Sequence, residues 1–254
     1  MADTTSGTAG WIGVHLGSTE YSVEPGGSLV LSPIVANNGP EDDAYTLAVQ
    51  GIPGGWFSTA SPLVVVPAGE QREANLTIHP PRHFATKAGR RTITIQAQSQ
   101  SAVHGRTAET TCFLTVGIFA EFGVRLHPDW QASGQPFRLT VQNRGNIQDI
   151  FTLTCRSLDG ALRFEPAAAQ DLLLTPGQES ALEFRAWSRR RPLLGGERVE
   201  PLLLQVESLT GKNKRLRAEI TSRALLPKWL LLGLFLFIFA FGCMLFALIL
   251  TQGL

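Results

Sequence analysis

The sequence predicts an all-β fold of two tandem β-sandwich domains followed by a single C-terminal transmembrane α-helix, and three observations carry that prediction. Short runs of alternating apolar and polar residues recur between turns rich in the chain's 25 Gly and 15 Pro. The same pattern is written twice, at an offset of about 106 to 108 residues, which is the size of one Ig-like sandwich. One stretch near the end, Trp229 to Leu250, runs for 22 residues without a charge.

Each strand follows from its alternation. Residues 1–10 are small and polar and are expected to be disordered. Trp11 to Leu16 makes a first strand, and Ser22 to Gly27 is turn chemistry. Leu29, Leu31 and Val35 keep one phase, and Pro33 in that run argues for an edge strand, because proline has no amide to give to a ladder. Tyr45, Leu47 and Val49 alternate with Thr46 and Ala48; Gly51 to Trp56 interrupts the pattern before Leu63 to Val66. Ala74, Leu76 and Ile78 give a further period-two run, as do Ile93, Ile95 and Ala97, and Cys112 to Val116 closes the set.

The second copy matches the first residue by residue. Val35, Asn37, Gly39, Asp43, Tyr45, Leu47 and Val49 fall on Val141, Asn143, Gly145, Asp149, Phe151, Leu153 and Cys155. After a two-residue shift, Gly69 falls on Gly177, Leu76 on Phe184, Ile78 on Ala186 and Arg82 on Arg190. The matched apolar positions are core in both copies, so Cys155 points inward at the place of Val49. The domains are therefore read as 11–117 and 118–222, with no Pro-rich or Ser-rich linker between them. A basic juxtamembrane linker 223–228, the span 229–250 and a short tail 251–254 follow.

The segments VEPGGSL, VANNG with DDAYTL, GIPGGW, AGEQREANLTI and HPPR, repeated as VQNRGN, DIFTL, PGQESALEF and RRRPLLGG, resemble bacterial membrane proteins with tandem Ig-like repeats of the NEW3 or CARDB-like kind. The resemblance covers Val23 to about Ser208. It implies the sandwich fold, and no catalytic motif travels with it.

The apolar run sets the expected placement. A helix of its length rises roughly 33 Å against a hydrocarbon core of about 30 Å. Trp229, Leu230, Phe235, Phe237, Phe239, Phe241 and Leu250 are the expected membrane anchor, which makes the lipid bilayer a partner. Before it stand six basic residues, Lys212, Lys214, Arg215, Arg217, Arg223 and Lys228, opposed by Glu219 alone, and no secretory signal is visible at the start of the sequence. The expectation is a tail-anchored, single-pass protein of the inner (plasma) membrane with its N-terminal domains in the cytoplasm.

Little of the sequence points to catalysis. The five His are scattered, and no HExxH, GxSxG or CxxC pattern occurs. His79 and His83 enclose Pro80 and Pro81, which hold the segment extended rather than stacking two imidazoles on one helix face. No catalytic residue, no cofactor and no metal ligand is expected. Calcium at Glu41, Asp42 and Asp43 is disfavoured by the repeat, which keeps Asp149 but has Ile147 and Gln148 at the other two places, so the shared element is turn chemistry. Three scattered cysteines exclude a disulfide scaffold, and a net charge of +1 gives no nucleic-acid footprint. Arg189, Arg190 and Arg191 form the main basic cluster away from the C-terminus, expected as a solvated loop.

The function expected is non-enzymatic: a protein-binding scaffold or attachment point for a larger assembly, for example a contractile-injection or secretion machine. The alternative is an exported surface adhesion or carbohydrate-binding protein, for which Trp11, Trp56, Trp130 and Trp187 are the available aromatic platforms. Nothing in the pattern fixes an oligomeric state.

Overall fold

The computed structural model describes residues 10–101, 106–158, 160–189, 194–224 and 226–252, and the side chains of these except 194, 226–228, 231–232 and 245–252. The disorder expected over 1–10 thus falls, apart from Gly10, outside the described residues, as do His104, Arg190, Arg191 and Pro192. The chain divides into two compact units, Met1–Glu121 with Arg144–Gln148, and Phe122–Asn143 with Asp149–Leu254.

The first unit contains β1 (Ile12–His15), β2 (Glu20–Val23), β3 (Leu29–Leu31), β4 (Ile34–Asn37), β5 (Asp43–Gln50), β6 (Phe57–Thr59), β7 (Val64–Val66), β8 (Gln71–Glu73), β9 (Leu76–Ile78), β10 (Gly89–Ser99) and β11 (Thr107–Val116). One sheet has the order β2-β11-β10-β5-β7, with β2 parallel to β11 and the other pairs antiparallel. The other strands form the ladders β1-β4-β8 and β3-β9-β6. Leu31, Val35, Leu76 and Ile78 from these ladders join Tyr45, Ile93, Ile95 and Leu114 from the five-stranded sheet in one core. Side chains of this kind stabilise a fold by about 1.5–3 kcal/mol each on full burial. Asn146, within the segment that belongs to this unit, accepts from the Phe119 amide at 2.8 Å and donates to the carbonyls of Thr86 at 3.0 Å and Gly117 at 2.9 Å.

Pro33 explains why the second face of this unit is cut into two ladders. It lies between β3 and β4; lacking an N–H it contributes only its carbonyl, which accepts from the Ala74 amide at 2.9 Å. The expectation that its run is an edge strand holds for β3, which among the described residues pairs with β9 alone, and fails for β4, which sits between β1 and β8.

The second unit repeats the arrangement with β12 (Phe122–His127), β13 (Trp130–Ala132), β14 (Pro136–Asn143), β15 (Asp149–Ser157), β16 (Leu162–Glu165), β17 (Gln170–Leu174), β18 (Glu179–Ser188), β19 (Leu194–Gly195), β20 (Glu197–Ser208), β21 (Asn213–Arg223) and β22 (Leu226–Pro227). Its sheets are β13-β21-β20-β15-β17 and β12-β14-β18-β16, with a short β19-β22 pair beside them. Where the first unit has Pro33, this one has Leu139, fully buried and paired with Leu182, so β14 and β18 each run unbroken. The core gathers Phe137, Leu139, Phe151, Phe184, Leu202, Leu204 and Ile220, with the rings of Phe137 and Phe184 stacked at 5.2 Å. The chain is thus all-β with sandwich-like, Ig-like sheets.

The last element is α1 (Lys228–Gln252), described without interruption, side chains included, over 233–244. Those 12 residues rise about 18 Å, short of a hydrocarbon core of about 30 Å. Among the described residues no helix is long and apolar enough to cross a membrane. This corrects the expectation of a single C-terminal transmembrane helix over 229–250, and with it the tail-anchored, inner-membrane placement with cytoplasmic domains.

Candidate binding clefts of the second unit

The residues that the repeat singled out build the framework of each unit. Asn37 and Asn143 are buried at the ends of β4 and β14. Each donates its side-chain amide across the sandwich, Asn37 to the carbonyl of Val66 and Asn143 to that of Leu174, both at 3.0 Å. Their backbone carbonyls accept from Gly69 and Gly177, both at 2.8 Å. Those glycines have φ of 75° and 80°, a conformation that costs a residue with a Cβ, which is why both copies keep glycine there. Asp43 takes the Ala44 amide at 2.7 Å and the Ser99 hydroxyl; Asp149 takes the Ile150 amide at 2.8 Å and the Ser208 hydroxyl.

These bonds commit the acidic cluster of the first unit to turn chemistry. Asp42 accepts from the Ala68 amide at 2.9 Å. The cavity beside Glu41, Asp42 and Asp43, where Arg106 stacks on Trp11 with 4.2 Å to the ring centroid, measures about 30 Å³. That is room for one or two waters. Burial, with the charge and hydrogen bond of Asp43 adding to it, pushes the Tyr45 hydroxyl up to about 12. His79 and His83 serve separate loops: His79 Nδ1 bonds Ser28 at 2.9 Å, and His83 Nδ1 accepts from the Ala85 amide at 3.2 Å.

The expected basic collar is for the most part strand. Lys214, Arg215, Arg217 and Arg223 lie on β21, where Lys214 donates to the Phe122 carbonyl at 2.6 Å and Arg223 pairs with Glu197 at 3.0 Å. Lys212 precedes the strand, and the side chain of Lys228 lies outside the described residues. Trp229, Leu230, Phe235, Phe237, Phe239 and Phe241 are exposed on α1; the side chain of Leu250 is not among those described.

Two clefts at one end of the second unit bring unlike chemistries together. The first follows the edge strand β16 and measures about 650 Å³, with Arg163, Glu165, Trp187 and Arg189 along it. Arg163 stands opposite Trp187 in the β16–β18 ladder, and the Arg189 amide donates to the Ala161 carbonyl at 2.7 Å, which places both guanidinium groups on one groove. Neither Arg163 nor Arg189 makes an ion pair among the described residues. Trp187 lies against Gly134, whose missing Cβ would come within 2.6 Å of the indole nitrogen. The second cleft, about 530 Å³, lies along the opposite sheet's edge strand β13 and is lined in part by Trp130.

Between the clefts the polar groups are joined. The Ser188 amide donates to the Ser133 hydroxyl at 3.1 Å, and the Ser188 hydroxyl donates to Glu200 Oε1 at 3.1 Å. Glu200 is 1% exposed; its Oε1 also pairs with Arg198 Nε at 3.2 Å, while Oε2 has no partner among the described residues. Period-two alternation does not mark this carboxylate as buried, because Glu200 precedes Pro201 and Leu202, Leu203 and Leu204 follow with no polar residue between them. Of the four tryptophans considered as platforms, Trp56 is buried, Trp11 carries Arg106, Trp187 is packed on Gly134, and Trp130 stands 62% exposed.

No protein-family model matches the chain, and no curated protein matches it in sequence. Among solved structures, a protein of unknown function from Porphyromonas gingivalis W83 is 14% identical over 83% of this chain and 99% of that one, with a TM-score of 0.31. The adhesin InvE of Yersinia pseudotuberculosis is 13% identical over 82% of this chain and 58% of that one, at 0.31. The E. coli chaperone DraB is 14% identical over 82% and 96%, at 0.29. At TM-scores this low the likenesses carry no argument, and the Ig-like description rests on the strand order and shared cores of the two units.

Proposed function

We propose that the chain is a non-enzymatic protein-binding module whose second unit takes an extended, acidic segment of a partner polypeptide along β16. The observation that carries this reading is the convergence of Arg163 and Arg189, without ion-pair partners among the described residues, on an edge strand. An edge strand has backbone groups unspent on one side, and an added strand satisfies them while its side chains alternate into the groove. Guanidinium groups flanking that groove favour carboxylates and bind them in a planar, two-pronged way. Glu165 in the same cleft opposes an unbroken acidic run and favours acids spaced by neutral residues.

The test is fluorescence anisotropy of the full chain with a labelled peptide of alternating Asp and Val, against one of alternating Lys and Val. The acidic peptide is expected to bind, weaken with salt, and lose at least tenfold in affinity with Arg163→Glu or Arg189→Glu. Equal binding of the two peptides, or variants that bind as the native chain does, would overturn the reading.

A further inference from the structure

We infer that the Trp130 cleft is a second, independent recognition site, built for a β-linked, gluco-configured oligosaccharide. Trp130 is 62% exposed on β13, a three-residue edge strand paired in parallel with β21. The fold does not require an aromatic residue there. In the first unit β2 pairs with β11 in the same parallel way, and the ladder position matching Trp130 holds Glu20, opposite Phe113. An exposed indole that the sister unit does without is the feature a ligand would explain.

The walls of the cleft supply the polar half of the chemistry. Arg223 and Glu197 pair at 3.0 Å, with side chains 86% and 57% exposed, so the pair stands at the cleft in water. Such an exposed pair contributes little to stability and is readily opened. Together they offer a planar donor and a two-oxygen acceptor, which suits two neighbouring equatorial hydroxyls of one pyranose ring. The floor is held in place: the Ser133 amide donates to the Thr221 carbonyl at 2.9 Å, and the buried Ser222 hydroxyl donates to the Arg198 carbonyl at 3.5 Å. A pyranose whose hydroxyls are all equatorial presents a continuous C–H face, which packs on an indole ring while its hydroxyls face the ion pair. A cleft of about 530 Å³ holds one or two such rings.

The full chain is titrated calorimetrically with cellohexaose and with chitohexaose, and tryptophan fluorescence is followed in parallel. At least one sugar is expected to bind saturably and change the emission. Trp130→Ala should weaken it at least tenfold, Trp130→Phe less, and Glu197→Gln measurably, while Trp11→Ala in the other unit leaves it unchanged. Circular dichroism of each variant separates loss of the ligand from loss of the fold. Failure of both sugars to bind, affinity unchanged by Trp130→Ala, or an acidic peptide occupying this cleft in their place would overturn the inference. The sugar titrations are independent of the β16 cleft, which follows the edge of the other sheet.

Discussion

Asn143 donates its side-chain amide to the carbonyl of Leu174 across 3.0 Å, joining the end of β14 to the edge strand β17 of the facing sheet. Asn37 and Val66 make the same bond in the first unit. A buried amide that lost its partner would leave the carbonyl unsatisfied, at a cost of about 1–3 kcal/mol. Asn37→Ala and Asn143→Ala are each expected to lower stability by about that amount, as measured by urea denaturation. The exposed Asn213, outside any such bond in the structure's core, serves as the control; its replacement by Ala should stay within about 0.5 kcal/mol. Core variants as stable as the native chain would mean that these asparagines are incidental.

Leu139→Pro should imitate the first unit inside the second. Proline would remove a ladder amide from the middle of β14, where Leu139 is fully buried between β12 and β18. A loss of at least about 3 kcal/mol in stability is expected, larger than for Leu139→Ala by the ladder term. If the two variants unfold at the same denaturant concentration, the break beside Pro33 has some other cause.

Glu200 makes the opposite kind of test. It is a buried carboxylate with one oxygen unpartnered among the described residues, and its ion-pair partner Arg198 is half-exposed and can return to water. Replacing such a group by an apolar one of similar size is often neutral or stabilising. Glu200→Leu is expected to leave thermal stability unchanged or to raise it; a marked fall in Tm would show that the carboxylate holds Ser188 and the two clefts in place.

Burial pushes the Cys112 thiol up to about 11 and the Cys155 thiol up to about 12. Both are acids whose folded pKa lies above the unfolded value near 9, so the native state holds protons that the unfolded chain has released. Stability should therefore be complete below about pH 9 and decline from there toward pH 12. Tyr45, also raised to about 12, acts in the same direction at the upper end of that window. Denaturation midpoints measured across this range check the sign. Cys112→Ala/Cys155→Ala, compared with the native chain, should flatten the decline.

What the sequence made legible was whatever the repeat wrote twice. Tyr45 with Phe151, Leu76 with Phe184 and Ile78 with Ala186 are buried in both copies, because alternation fixes which face of a strand is dry. Asn37 and Asn143 could be read as turn residues, but not as bonds to Val66 and Leu174, since those partners lie about 30 residues away and only sheet packing brings them near. Cys155 was read as core at the place of Val49, and it packs against the core while only partly buried. The clefts were hidden for the same reason as the long-range bonds. Trp187 and Arg163 are neighbours through a ladder that no spacing announces, and Glu197 meets Arg223 across another. The apolar run Trp229 to Leu250 was read from hydropathy, which registers composition and not where a helix begins or ends.

The most direct measurement of the central claim is amide hydrogen exchange across β16 with and without the acidic peptide. If a partner segment adds to the edge of the β12-β14-β18-β16 sheet, amides within Leu162–Glu165 should gain protection on binding, while those of β17, at the edge of the other sheet, stay as they were. Binding that leaves β16 unprotected, or that protects β17 in its place, would contradict the account.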